Sequence, residues 1–154
     1  MNEKLIFDFN SDTKISNWVV VEDRVMGGRS NAEIHLTDEG HAKFIGNVSL
    51  ENNGGFASVR HRLNVEGVKN FSKAVIRLKG DGKNYQFQLK NKLNDRHSYI
   101  QEFSTNGEWQ EIELDLVKMY PGFRGRKLDI PNWDHDIIQE ITFLIGNKKN
   151  EEFS

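Results

Sequence analysis

Apolar and polar residues alternate in short runs along nearly the whole chain, and a period of two belongs to a strand with one covered face, not to a helix. In residues 74–79, Ala74, Ile76 and Leu78 fall on one side, and Arg77 and Lys79 on the other. Residues 85–90 repeat the pattern with Tyr85, Phe87 and Leu89 inward. Between these runs, Gly80-Asp81-Gly82-Lys83-Asn84 supplies residues that tolerate positive φ and predicts a hairpin or a close sheet connection. Further runs predict strands over 18–22, 32–36, 42–50, 56–63, 98–103, 109–114 and 140–145, most of them separated by glycine-bearing or polar turns. So many short strands in a small chain predict an all-β, antiparallel sandwich or barrel. Residues 117–133 break the rhythm with Pro121, Gly122, Gly125 and Pro131, so a long ordered loop is expected there, with one helical turn near 134–139. Trp109 is out of phase with Ile112, Leu114 and Leu116. A straight strand turns it away from them, and a bulge returns it to the core.

At 154 residues the chain is expected to form one domain over 1–154. Lys and Arg number 21 against 23 Asp and Glu, a net charge of -2, so no global basic field exists to hold a nucleic acid. Cysteine is absent, which excludes disulfides, thiolate zinc sites and cysteine nucleophiles. The apolar run at 5–9 is too short for a signal peptide and is interrupted by Asp8. No stretch reaches the roughly 18 apolar residues of a membrane span, and a cytoplasmic location is expected. At the C-terminal end, 141–146 reads as a strand and 147–150 as a polar turn, while 151–154 opens a further strand that stops at once.

Three glycine-bearing blocks stand out: 22–30 with Gly27 and Gly28, 44–60 with Gly54 and Gly55, and 121–126, where Arg124 and Arg126 straddle Gly125. The first has neither the dinucleotide nor the phosphate-loop spacing, and reads as a tight turn or bulge. The second offers Asn, Ser and Arg groups suited to a sugar or a partner's backbone, or a simple Asn-Gly hairpin. Arginine forks bind carboxylates, phosphates or backbone carbonyls, and an internal ion pair is the equal alternative for the third. The five histidines are scattered, Asp134-His135-Asp136 is too compressed for one ion, and no nucleophile elbow or marked acid–base pair is present. No catalytic residue, resident metal or cofactor is expected.

Read together, Asp23-x-Val25-Met26-Gly27-Gly28-x-Ser30, the run from Phe44 and Gly46 through Gly54-Gly55-Phe56-x-Ser58-x-Arg60, Gly80-Asp81-Gly82-x-x-Tyr85 and Phe123-Arg124-Gly125-Arg126 resemble the complex I intermediate-associated protein 30 family in order and spacing. The resemblance implies a galactose-binding-like, jelly-roll β-sandwich. It also implies a non-enzymatic assembly factor or chaperone for intermediates of NADH:ubiquinone oxidoreductase, with respiratory-complex subunits as protein partners. Family members continue into a final strand that Phe153 begins, so the last strand is expected to be missing here. The matching positions suggest a polar recognition surface of Asp23, Ser30, Arg60, Asp81, Arg124 and Arg126, with Gly27, Gly28, Gly54, Gly55, Gly80, Gly82 and Gly125 shaping its loops. The competing reading makes the same polar residues an internal network tying loops to sheets. The alternative function is a carbohydrate-binding module that takes a glycan through loop polar groups and an exposed aromatic.

Overall fold

The computed structural model describes residues 18–22, 30–50, 55–123, 126–146 and 151–153. Within them the alternating runs form β1 (Trp18–Glu22), β2 (Asn31–Leu36), β3 (Ala42–Val48), β4 (Ala57–Val65), β5 (Lys73–Lys79), β6 (Asn84–Lys90), β7 (Ser98–Ser104), β8 (Trp109–Asp115), β9 (Tyr120–Phe123), β10 (Arg126–Lys127), β11 (Ile138–Ile145) and β12 (Glu151–Phe153). A large sheet of seven strands runs β1-β4-β11-β6-β7-β9-β10, and two smaller sheets run β12-β3-β2 and β5-β8. All pairings among them are antiparallel.

The inward halves of these strands meet in one core. Val59, Phe87, Leu89 and Ile141 come from the large sheet, and Val48, Leu114 and Phe153 from the smaller ones, with Ile34, Phe44 and Ile76 packed against them. Phe153 on β12 lies 4.9 Å from Phe44 and 6.5 Å from Tyr85 on β6, which ties the two layers together. Each large apolar side chain buried this way contributes roughly 1.5–3 kcal/mol. The architecture is therefore an antiparallel β-sandwich of the jelly-roll kind.

Three local expectations change. The runs on either side of residues 80–84 are not partners: β5 pairs with β8, while β6 pairs with β7 and β11, so the connection carries the chain from one sheet to another. Period two fixes which residues face inward but not which strand lies alongside. Residues 117–133 hold β9 and β10 as well as the end of a 3-10 turn at Leu116–Lys118. Pro121 sits opposite Tyr99, and its carbonyl accepts the Leu128 N–H at 2.9 Å. A Cβ on Gly122 would lie 2.7 Å from Ile100 Cδ1, so that glycine permits close packing against β7. Residues 134–139 form no helical turn, and β11 already begins at Ile138.

Candidate functional site

Because β6 points Tyr85, Phe87 and Leu89 into the core, Gln86, Gln88 and Lys90 must lie on the outward face of the large sheet. Directly opposed residues of antiparallel strands share a face, so the register assembles the rest of the surface. Val19, Arg60, Thr142, Gln88, Ile100 and Tyr120 stand side by side across six strands. A second row runs Val21, Ser58, Leu144, Gln86 and Glu102, and a third runs Arg62, Glu140 and Lys90.

This face is polar and partly sunk into the protein. Ser58, Thr142 and Glu140 are buried, while Arg60, Gln86 and Gln88 are half-buried. Ser58 Oγ donates to the Val21 carbonyl at 2.6 Å, and Gln88 Nε2 donates to Gln86 Oε1 at 2.9 Å. Tyr120 donates its hydroxyl to Glu102 at 3.1 Å, and Lys127 Nζ lies 5.7 Å from the centre of the Tyr120 ring. Burial, reinforced by the hydrogen bond and charge of Glu102, raises the Tyr120 phenol above its usual range and keeps it a donor. Arg62 Nε stands 4.0 Å from Glu140 Oε2. Arg60 differs from all of these: its Nε is buried and has no hydrogen-bond partner among the described residues.

Of the residues singled out from sequence, Asp23, Gly27, Gly28, Gly54, Arg124 and Gly125 lie outside the described residues. Ser30 is fully buried, and its Oγ accepts the Ser49 N–H at 2.9 Å and approaches the Ser49 carbonyl at 3.3 Å. Asp81 accepts the Tyr85 hydroxyl at 2.8 Å, the Lys83 N–H at 3.3 Å and Lys83 Nζ at 3.2 Å, which fixes the β5–β6 crossover. Gly80 abuts the side chain of Thr105, and Thr105 in turn accepts the Gly82 N–H at 3.0 Å and donates to the Lys83 carbonyl at 2.8 Å. Gly55 and Gly82 take positive φ, 146° and 86°. Arg126 is exposed on β10. Arg60 alone of the described polar candidates stands in the central row of the large sheet.

Gln86, Gln88, Thr142 and Glu102 were not singled out from sequence. The only signal for them was the polar half of the alternation, which marks them as outward without telling one sheet's outside from another's. A second cluster lies at the end of the core, where Tyr99 and Trp133 are buried. Tyr99 and Trp133 meet edge-on at 5.1 Å, and His135 Nε2 lies 2.8 Å from the Tyr99 hydroxyl. Burial lowers the His135 pKa below the ordinary histidine value and raises that of Tyr99, to which Asp95 adds. Trp109 keeps a straight register opposite Lys79 and is 47% exposed on the outside of the β5–β8 sheet. Its ring lies 5.4 Å from the Arg77 guanidinium and 4.8 Å from the His41 ring. Among the described residues, no group of three or more His, Asp or Glu side chains is arranged to hold a metal.

Residues 7–154 match the family model described as Complex I intermediate-associated protein 30. The mouse (Mus musculus) protein "Complex I intermediate-associated protein 30, mitochondrial" is 20% identical over 173 residues, covering 97% of this chain and 53% of that protein. The chain thus spans about half the length of that relative. The cytoplasmic expectation is corrected here, because the relative's name places it in mitochondria. A compartment address is read by receptors and leaves no mark in the alternation or charge of a folded domain. Among solved structures, the family 11 carbohydrate-binding module of a cellulosomal cellulase of Clostridium thermocellum superposes with a TM-score of 0.71 at 16% identity, covering 99% of this chain and 89% of that one. The family 11 module in complex with a β-1,3-1,4-mixed-linked tetrasaccharide gives 0.69 at 16% identity, covering 96% and 88%.

Proposed function

The chain belongs to the complex I intermediate-associated protein 30 family, and from that premise we propose that it is a non-enzymatic binding domain for a protein partner in complex I assembly. The partner meets the outward face of the large sheet. The observation that carries this reading is the cross-strand row centred on Arg60, Thr142 and Gln88, with donors and acceptors held on rigid strands. Groups fixed by a sheet ladder lose little conformational freedom on binding, so more of the interaction energy appears as affinity. The glycan alternative has its own support in the likeness to a module solved with a tetrasaccharide, and in the Gln86–Gln88 amide pair, whose groups suit sugar hydroxyls. Against it, Tyr120, the described aromatic in the central row, has Lys127 over its ring and its hydroxyl engaged by Glu102.

The test is capture of partners by the tagged full chain from its own cells, lysed with mild detergent and read by mass spectrometry. A Gln86→Ala, Gln88→Ala variant with an unchanged melting temperature serves as the comparison. Complex I subunits recovered by the native chain and lost by the variant support the proposal. Equal recovery by both removes the face from the proposal. Recovery of nothing specific, with retention on a mixed-linked β-glucan column, transfers the function to the glycan reading.

A further inference from the structure

Charge on the outward face of the large sheet is distributed against the charge of the chain. Its described residues include Arg60, Arg62, Lys90 and Lys127 against Glu102 and Glu140, while the whole chain is -2. Four cations against two carboxylates give the described part of this face a net charge of +2, opposite in sign to the chain's -2. Both carboxylates already have company: Glu102 accepts the Tyr120 hydroxyl, and Glu140 is near Arg62. The Arg60 guanidinium has neither an ion pair nor a hydrogen bond among the described residues.

A buried donor without an acceptor is an unfavourable state that the fold could relieve by turning the side chain to water. Here the position resists that escape, since Arg60 lies between Val19 on one side and buried Thr142 on the other, with its Nε out of solvent. Arg60 as a whole is only half-buried and meets no acceptor among the described residues, so a partner can supply one, and a carboxylate satisfies two guanidinium N–H groups at once. A neutral carbonyl or hydroxyl satisfies one and leaves the charge uncompensated.

We propose that this face selects its protein partner through an acidic segment whose Asp or Glu carboxylate seats on Arg60, with Arg62, Lys90 and Lys127 supplying the surrounding attraction. The inference rests on the protein-partner reading above and specifies the chemistry of that partner. Electrostatic selection of this kind appears in association rate and salt dependence as well as in affinity.

The experiment uses the full chain and three labelled probes: a ten-residue peptide alternating Glu with Val, the same peptide with Gln for Glu, and oligogalacturonate. Binding is followed by amide chemical shifts and fluorescence anisotropy. The Glu peptide is expected to shift the amides around Arg60, Gln88 and Thr142, and to bind at least tenfold more tightly than the Gln peptide. Raising the salt to about 0.5 M or introducing Arg60→Gln is expected to weaken it about tenfold, with the melting temperature checking the fold of the variant. No binding of the Glu peptide, equal binding of the Glu and Gln peptides, or tighter binding of oligogalacturonate each overturns the proposal.

Partner capture separates this failure from failure of the broader reading. Capture that survives Arg60→Glu, Lys90→Glu but is lost in the Gln86→Ala, Gln88→Ala variant removes the acidic segment and leaves the face in place. Capture that survives both sets removes both.

Discussion

At the scale of single residues, glycines and one histidine show how much a position's surroundings decide. A Cβ on Gly46 would collide with the backbone of β2, lying 2.7 Å from Ala32 Cα. Gly82 has open space around it and a φ of 86°. Backbone in a paired strand has little room to yield, so Gly46→Ala is expected to cost about 2–3 kcal/mol. Gly82→Ala bears only the conformational cost of roughly 1 kcal/mol. Chemical denaturation of the two variants checks the order, and a smaller loss at Gly46 would contradict it. His135 provides a pH prediction. Burial depresses its pKa below 6.5, while Asp134 and Asp95 pull it up and His97 and Lys69 push it down. The unfolded chain therefore binds more protons in the window between the depressed and the ordinary value. The stabilisation is fully present above about pH 6.5 and is lost as pH falls through the folded value, with a slope of at most about 1.4 kcal/mol per pH unit. His135→Gln is expected to flatten this part of the melting curve against pH, and an unchanged slope would assign the acid sensitivity to other groups.

At the scale of elements, the β5–β6 crossover shows where the reading from sequence stopped. Alternation identified both strands and their inward residues, because pleating forces a period of two on any half-covered strand. It did not identify their partners, since sheet membership depends on contacts between distant segments. Residues 117–133 were misread for a related reason: Pro121 and Gly122 are poor strand formers in isolation, yet β7 supplies a neighbour that accommodates both. The site was legible only in part. Asp81 was singled out, and the structure joins it to Tyr85 and Lys83 within the crossover. Asp81→Ala should therefore reduce stability by about 1–3 kcal/mol through loss of these bonds, without altering partner capture. Lost capture at an unchanged melting temperature would restore Asp81 to the recognition surface. Thr142 and Gln88 carried no mark in sequence, because a threonine and a glutamine on the outside of a strand are ordinary until register places them beside Arg60.

At the scale of the molecule, the sandwich has two outer surfaces of different character. One carries the half-buried polar row of the large sheet. The other, outside β5 and β8, is open: Val75 is 59% exposed, Lys73 bridges to Glu113 at 3.2 Å, and Trp109 is the large aromatic there. Overall composition concealed this division, since a near-balanced total charge does not report a cationic face on an acidic body. Trp109 tests which layer recognises the partner. Its ring is engaged by Arg77 and His41 but retains enough exposed surface to stack on a sugar. Trp109→Ala removes an exposed cation–π contact worth about 0.5–1 kcal/mol, so the fold should survive with a small drop in melting temperature. If the large sheet is the recognition face, capture of complex I subunits by this variant equals that of the native chain. Loss of capture with the fold intact would move the interface to the β5–β8 layer. Retention on β-glucan that disappears in Trp109→Ala but persists in Gln86→Ala, Gln88→Ala would place a sugar platform on that same layer. The two outer surfaces can thus be assigned separately, because the strands fix their residues on opposite sides of one core.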